Sequence, residues 1–238
     1  MANFKTHIVV GSVSSGVFAD MLLSTHNISS NEAMGLFILG SLGSLMPDID
    51  HPTSIPYKTT ISILSILFPF GVIFSRPEYS ISEKAILWVV AFFAIRFLFE
   101  QIFSKWSSHR GIFHSIPMGI LLGMVGVLIL KSIFWIDSYL AIWGGFFISF
   151  GFFIHLILDE VYSVDLANRR IKKSFGTALS LYKRENLLGT FAVYGAILIL
   201  FPYIGDYSIV TDVIFSSEFY NSIFQNLLPS GNWFSGII

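Results

Sequence analysis

The chain has 238 residues, of which 54% are hydrophobic and only 12% are charged, whereas soluble domains carry about 25% charged residues. This composition excludes an ordinary water-soluble domain and predicts a protein of the lipid bilayer. A net charge of −1 leaves no basic surface for nucleic acid. The chain has no cysteine, which excludes disulfides, thiolate metal sites and cysteine nucleophiles. A metal ion would be held by His, Asp and Glu.

Seven apolar stretches are long enough, or nearly so, to cross a membrane. A spanning helix needs about 20 mostly apolar residues to cross a hydrocarbon core of roughly 30 Å. The stretches are residues 7–24, 32–46, 59–75, 82–106, 116–135, 140–163 and 187–204. They predict an all-α fold, a polytopic transmembrane helix bundle of about seven spans, with a membrane-embedded domain over residues 1–204.

The segment after the last stretch, residues 205–238, has a different pattern. Apolar residues recur at helical spacing between residues 212 and 228, after a candidate N-cap at Thr211 or Asp212. The pattern predicts one amphipathic C-terminal helix that lies in the membrane interface and does not form an eighth span.

The distribution of Lys and Arg predicts the orientation, because short basic loops stay on the cytoplasmic side. With seven spans, one face receives ten of the fourteen basic residues. These ten are Lys5, Lys58, Lys105, Arg110, Arg169, Arg170, Lys172, Lys173, Lys183 and Arg184. We therefore expect a multi-pass protein of the inner (plasma) membrane whose N-terminus and 164–185 loop are cytoplasmic.

Five of the six histidines and three aspartates lie beside span ends that this topology places on the same face. They are His7, Asp48, Asp50, His51, His109, His114, His155 and Asp159. Imidazoles and carboxylates together suit Zn²⁺ or Mn²⁺. The sequence therefore predicts a shared divalent-metal centre at the cytoplasmic end, with one or two ions.

Each motif also has a structural interpretation. The prolines around Asp48-Ile-Asp50-His51 end a helix and favour an extended bend that turns both aspartates to one side, although an ordinary helix-terminating turn has the same pattern. His155 and Asp159 share a helix face four residues apart, as ligands or as a hydrogen-bonded pair.

His109 and His114 flank Arg110 in a segment where Gly111 allows a turn toward one centre. The Arg110 guanidinium is shaped to bind phosphate or carboxylate with two hydrogen bonds. It also fits a cytoplasmic anchor of the kind that the topology rule describes.

In this order the motifs resemble the YdjM-type family of LexA-linked, membrane-bound metal-dependent hydrolases. The resemblance rests on His7, Met46-Pro-Asp-Ile-Asp-His51, His109-Arg-Gly-Ile-Phe-His-Ser115 and His155-Leu-Ile-Leu-Asp159. It covers residues 1 to about 180, with Phe113 at a position where the family commonly has Thr. Membership implies a multi-span helical protein with a metal-dependent hydrolase assignment and an open substrate.

The motifs together predict a phosphoesterase that acts on a lipid or lipid-linked phosphate at the membrane face. Asp48 or Asp50 would accept the proton of the attacking water, and Arg110 would hold phosphate charge. Two alternatives stay open at this point. Intramembrane His and Asp also mark the ion path of a divalent metal transporter, and a non-catalytic membrane scaffold could keep the same residues.

Overall fold

The computed structural model describes residues 3–50, 55–74, 76–106, 112–165, 170–171, 179–183 and 186–228. This part of the chain is almost entirely helical, as predicted. The helices are α1 (Phe4–Leu23), α2 (Ser30–Gly43), α3 (Ile55–Phe74), α4 (Ile81–Trp106), α5 (Ile116–Ser132), α6 (Ser138–Val161), α7 (Leu187–Ile204), α8 (Ser208–Ile214) and α9 (Ser217–Asn226). A 3-10 helix, Met46–Asp50, lies after α2. After α6, β1 (Val164–Asp165) pairs antiparallel with β2 (Arg170–Ile171).

Four helices are long and apolar enough to cross a membrane, by length and composition. They are α1, α6, α7 and the Tyr57–Phe74 part of α3. α2 has 14 residues and α5 has 17, so at 1.5 Å per residue they extend only about 21 and 26 Å. Seven helices occupy the seven predicted stretches, but the described residues support four spans, and the count of seven stays a prediction.

Side-chain caps set where the first two helices begin. The Asn3 side chain accepts a hydrogen bond from the Thr6 backbone N–H, and Ser29 and Glu32 form a capping box at the start of α2. The cap at Asn3 places His7 in the first turns of α1. Because α1 and α2 are antiparallel neighbours, the start of α1 and the end of α2 lie at the same end of the bundle.

α6 is the central helix of the bundle, packed against α1, α2 and α5. Its Trp143, Phe147 and Phe152 side chains are completely buried. The α5–α6 contact is close because Gly123 faces Gly145, and a Cβ at Gly145 would lie 2.5 Å from the Gly123 carbonyl oxygen. A central helix buried on several sides holds its C-terminal polar residues in a fixed position.

The C-terminal segment forms two helices where the sequence pattern predicts one. α8 ends at Ile214, and α9 begins after Ser216, whose side chain accepts a hydrogen bond from the Phe219 N–H at 3.0 Å. The predicted N-cap at Thr211 or Asp212 is therefore wrong. The N-cap of α9 is Ser216, because its hydroxyl accepts from an N–H group that has no partner within the helix. Phe219 packs its ring against Phe18 of α1.

Candidate metal centre

Separate segments bring imidazoles and carboxylates to one end of the bundle. His7 lies near the start of α1, and Asp48 lies in the 3-10 helix after α2. His114 lies two residues before α5 begins, and His155 and Asp159 lie in the last two turns of α6. Of the eight predicted ligands, the structure brings these five together.

Four of these residues form a ring of alternating nitrogen and oxygen donors, here called the donor ring: Asp48, His114, His155 and Asp159. His114 Nε2 lies 3.5 Å from Asp48 Oδ1 and 3.7 Å from Asp159 Oδ2. His155 Nε2 lies 3.5 Å from Asp48 Oδ1 and 3.6 Å from Asp159 Oδ2. Donors bound tetrahedrally at about 2.1 Å from an ion lie about 3.4 Å from one another. The four separations are close to this value, and the donors fall into two overlapping groups that share His155, His7–His155–Asp159 and Asp48–His114–His155, each within 4.8 Å.

The hydrogen bond of His155 identifies which of its nitrogens is the donor to a metal. Its Nδ1 lies 2.7 Å from the Ser44 carbonyl oxygen. A carbonyl only accepts, so Nδ1 carries the hydrogen, and in the neutral imidazole the lone pair is on Nε2. Nε2 is buried, and no described residue forms a hydrogen bond with it. A lone pair that faces two carboxylates is repulsive unless a proton on Nε2 or a metal ion lies between them, and a divalent metal ion fits this position.

His7 approaches the donor ring from the other side of Asp159. Its Nε2 lies 3.3 Å from Asp159 Oδ1, the oxygen that does not face His155 and His114. The His7 ring stacks on the His155 ring, with centroids 3.6 Å apart and planes 9° apart. His7 therefore either orients the Asp159 carboxylate or binds a second ion. The single lone pair of His155 Nε2 can bind only one ion, so a second ion would need donors other than His155 beside His7 and Asp159.

Burial differs between the two carboxylates of the donor ring. The Asp159 side chain is 2% exposed and the Asp48 side chain is 27% exposed. A buried carboxylate is costly unless it is paired, and the charge of a divalent cation balances two carboxylates. Burial raises the pKa of Asp48, but the His114 and His155 imidazoles outweigh burial and bring this pKa well below its usual range. Asp48 is therefore an ionised carboxylate on the accessible side of the centre.

The segment around Asp48 is a 3-10 helix and not the extended bend expected from its prolines. The predicted extended bend is therefore wrong for Met46–Asp50, and the predicted direction of the Asp50 side chain stays a prediction. The Asp50 side chain, His51, His109 and Arg110 lie outside the described residues.

The order of the motifs along the chain and the comparison with known families agree. A family model described as YdjM inner membrane protein matches residues 1–203. The chain belongs to the YdjM inner membrane protein family. Together with its apolar helices, this membership makes it a membrane protein and confirms the resemblance that the four motifs predict. No curated protein and no solved structure matches the chain.

Sequence reasoning missed Ser44 as part of the centre of this YdjM family member. Ser44 contributes its backbone carbonyl, and every residue type has one, so the identity of residue 44 does not indicate this role. Its position does indicate it, because Ser44 comes directly after α2 and the last carbonyls of a helix have no partner within the helix. A buried carbonyl there needs a donor from elsewhere, and His155 supplies it.

Proposed function

We propose that this chain is an integral, multi-pass membrane hydrolase that uses a divalent metal ion to cleave a phosphoester at the cytoplasmic membrane face. The donor ring, with the His155 Nε2 lone pair turned toward two carboxylates, carries the proposal. Zn²⁺ and Mn²⁺ are the ions that best suit imidazole and carboxylate ligands. When bound, such an ion polarises a phosphoryl oxygen and makes water more acidic.

Asp48 is the residue proposed to act as general base. It is the more exposed carboxylate of the donor ring, so water and substrate reach it before they reach Asp159. Its pKa, lowered by His114 and His155, keeps it ionised at neutral pH, and in this form the carboxylate can accept a hydrogen bond from the attacking water and orient it. The inner side of the site is formed by His155 and Asp159. His155 is oriented by the hydrogen bond from its Nδ1 to the Ser44 carbonyl, and Asp159 lies beside His7.

A lipid or lipid-linked phosphate is the proposed substrate class. The donors come from helix ends at one side of the bundle, where the phosphate of a membrane lipid would lie. Arg110 and the basic residues of the 164–185 loop are proposed to hold its charge, since a guanidinium binds phosphate with two hydrogen bonds. Transporter sites usually lie near the middle of the bilayer, so the position of the donors at one end favours hydrolysis over transport.

We expect purified protein with Zn²⁺ or Mn²⁺ to hydrolyse at least one member of a panel of phospholipids, isoprenoid phosphates and soluble phosphodiesters. Asp48→Asn should lower turnover at least about 100-fold, because a positioned general base contributes about that much. Phosphate or alcohol release from substrate in mixed micelles is the measurement.

The matched control is Asp20→Asn, an exposed aspartate near the far end of α1, which should keep full turnover. No turnover on the whole panel, together with metal flux into vesicles that His155→Asn abolishes, would replace hydrolysis by transport. Bound metal with neither turnover nor flux would favour a scaffold.

The proposed orientation predicts the labelling of two single-cysteine variants in a chain that has no cysteine of its own. Lys5→Cys lies at the metal end of α1, and Asn27→Cys lies in the exposed turn at its other end. An impermeant maleimide added to intact cells should label Asn27→Cys and not Lys5→Cys. Permeabilised cells should show both labelled, which controls for reactivity. The opposite pattern in intact cells would place the metal centre at the outer face.

A further inference from the structure

The end of α2 lies in a narrow space between α1 and α6. Ser44 is completely buried, and its N–H donates to the Gly40 carbonyl, which closes the last turn of α2 (residues 40–44). The Ser44 carbonyl has no partner within the helix and accepts the hydrogen bond from His155 Nδ1 at 2.7 Å. The position of this turn therefore decides whether the bond to His155 forms.

Two glycines, each one helical turn from a histidine of the centre, contact this last turn of α2. Gly11 comes after His7 in α1, and a Cβ at Gly11 would overlap the Ser44 Cβ and Oγ atoms. Gly151 precedes His155 in α6, and a Cβ there would overlap the Gly40 carbonyl oxygen and lie 2.9 Å from the Ser44 backbone nitrogen. A side chain at either position would push the turn away from where it now lies.

We infer that Gly11 and Gly151 are positioning residues for the metal centre: they admit the last turn of α2 so that the Ser44 carbonyl fixes the tautomer of His155. A displacement of roughly 1 Å would lengthen the 2.7 Å bond beyond hydrogen-bond range. His155 then loses the acceptor that holds its hydrogen on Nδ1. The tautomer with hydrogen on Nε2 becomes accessible, and that tautomer cannot bind a metal ion through Nε2.

Other glycines of the same helices show that close packing does not explain every glycine here. A Cβ at Gly16 of α1 would meet only Phe37, at 3.5 Å, which is an ordinary contact. A Cβ at Gly35 of α2 would meet no described atom within 4 Å. The overlaps at Gly11 and Gly151 fall on the turn that carries the Ser44 carbonyl, whereas those at Gly123 and Gly145 fall on the contact between α5 and α6.

The decisive variant is Gly11→Ala in the full chain, purified in detergent. Its Zn²⁺ affinity, measured by competition with a chromophoric chelator, should fall about 10 to 100-fold, the usual cost of losing the partner that orients a metal ligand. In ¹⁵N spectra of histidine-labelled protein, taken where the imidazole is neutral, His155 should shift from the Nδ1–H toward the Nε2–H tautomer. Gly16→Ala and Gly35→Ala should change neither measurement.

Ser44→Gly supplies the rescue. It removes the side chain that a new Cβ at position 11 would overlap and keeps the carbonyl, and the remaining Ser44 Cα would lie 3.8 Å from that Cβ. Gly11→Ala with Ser44→Gly should therefore regain wild-type affinity and the Nδ1–H tautomer. Gly151→Ala should also weaken Zn²⁺ binding, but Ser44→Gly should not rescue it, because its new Cβ meets backbone atoms.

Unchanged affinity and tautomer in Gly11→Ala, or no recovery in the double variant, would overturn the inference. The inference rests on the proposed metal-dependent function only through the donor ring. Different results would contradict the inference and the proposed function. Wild-type protein that binds Zn²⁺ but cleaves no substrate removes the hydrolase proposal and leaves the affinity test intact. Wild-type protein that binds no Zn²⁺ removes the metal centre, while the His155 tautomer still reports whether Gly11 positions Ser44.

Discussion

His155→Asn is expected to abolish metal binding while the helical bundle stays folded. His155 Nε2 faces both carboxylates of the donor ring, and both groups of candidate ligands include it. The asparagine amide can still donate to the Ser44 carbonyl in place of Nδ1, so the variant removes the metal ligand and retains the buried hydrogen bond. The loss of affinity should exceed the roughly 10 to 100-fold cost of losing an outer partner of a ligand.

Metal content after repletion with Zn²⁺ or Mn²⁺, measured by elemental analysis alongside size-exclusion chromatography, tests this prediction. His26→Asn is the matched control, because His26 is exposed at the far end of α1. Its backbone has φ 58°, a conformation that asparagine tolerates better than most residues. If the folded His155→Asn variant retains its metal, the donor ring is not the metal centre.

Asp159→Asn is expected to abolish the effect of metal on thermal stability. Metal that binds only the folded protein stabilises the wild type by about 2.7 kcal/mol at a free concentration of 100 Kd. The variant loses this gain because a ring donor is neutralised. After chelation, the Asp159 carboxylate, 2% exposed, still lies 3.3 Å from His7 Nε2 and 3.6 Å from His155 Nε2, and removing one partner of such a buried pair is costly. The chelated variant should therefore be less stable than the chelated wild type, and metal should not raise its unfolding midpoint.

Thermal unfolding in detergent, monitored by tryptophan fluorescence with metal and with chelator, gives the four midpoints required. Asp20→Asn, at an exposed site on α1, should behave as wild type under both conditions. An equal loss of stability in Asp159→Asn with and without metal would show instead that Asp159 is a packing residue that pairs with His7.

The helices of the bundle could be predicted from the sequence because their signals are local. Apolar stretches of sufficient length located α1 to α7, and the chemistry of His and Asp selected eight candidate ligands. The C-terminal segment shows where this reasoning fails. Apolar spacing continues through residues 212–228, but Ser216 interrupts the helix by capping α9, and a continuous pattern does not reveal which cap forms. The 3-10 helix at Asp48 was missed because prolines end an α-helix without fixing the conformation of the residues after it.

Hydropathy, charge and side-chain chemistry belong to the residues themselves, so they are enough to predict a helical membrane protein whose imidazoles and carboxylates lie near one set of helix ends. How these groups meet depends on the tertiary structure. It placed Asp159 between His7 and His155, left Asp48 as the accessible carboxylate and turned His155 Nε2 into the donor ring. The orientation of His155 depends on the hydrogen bond from its Nδ1 to the Ser44 carbonyl. That carbonyl lies in a turn for which only a residue without a side chain leaves room at positions 11 and 151. Such a contact is set by the distance between three helices, which no local pattern encodes.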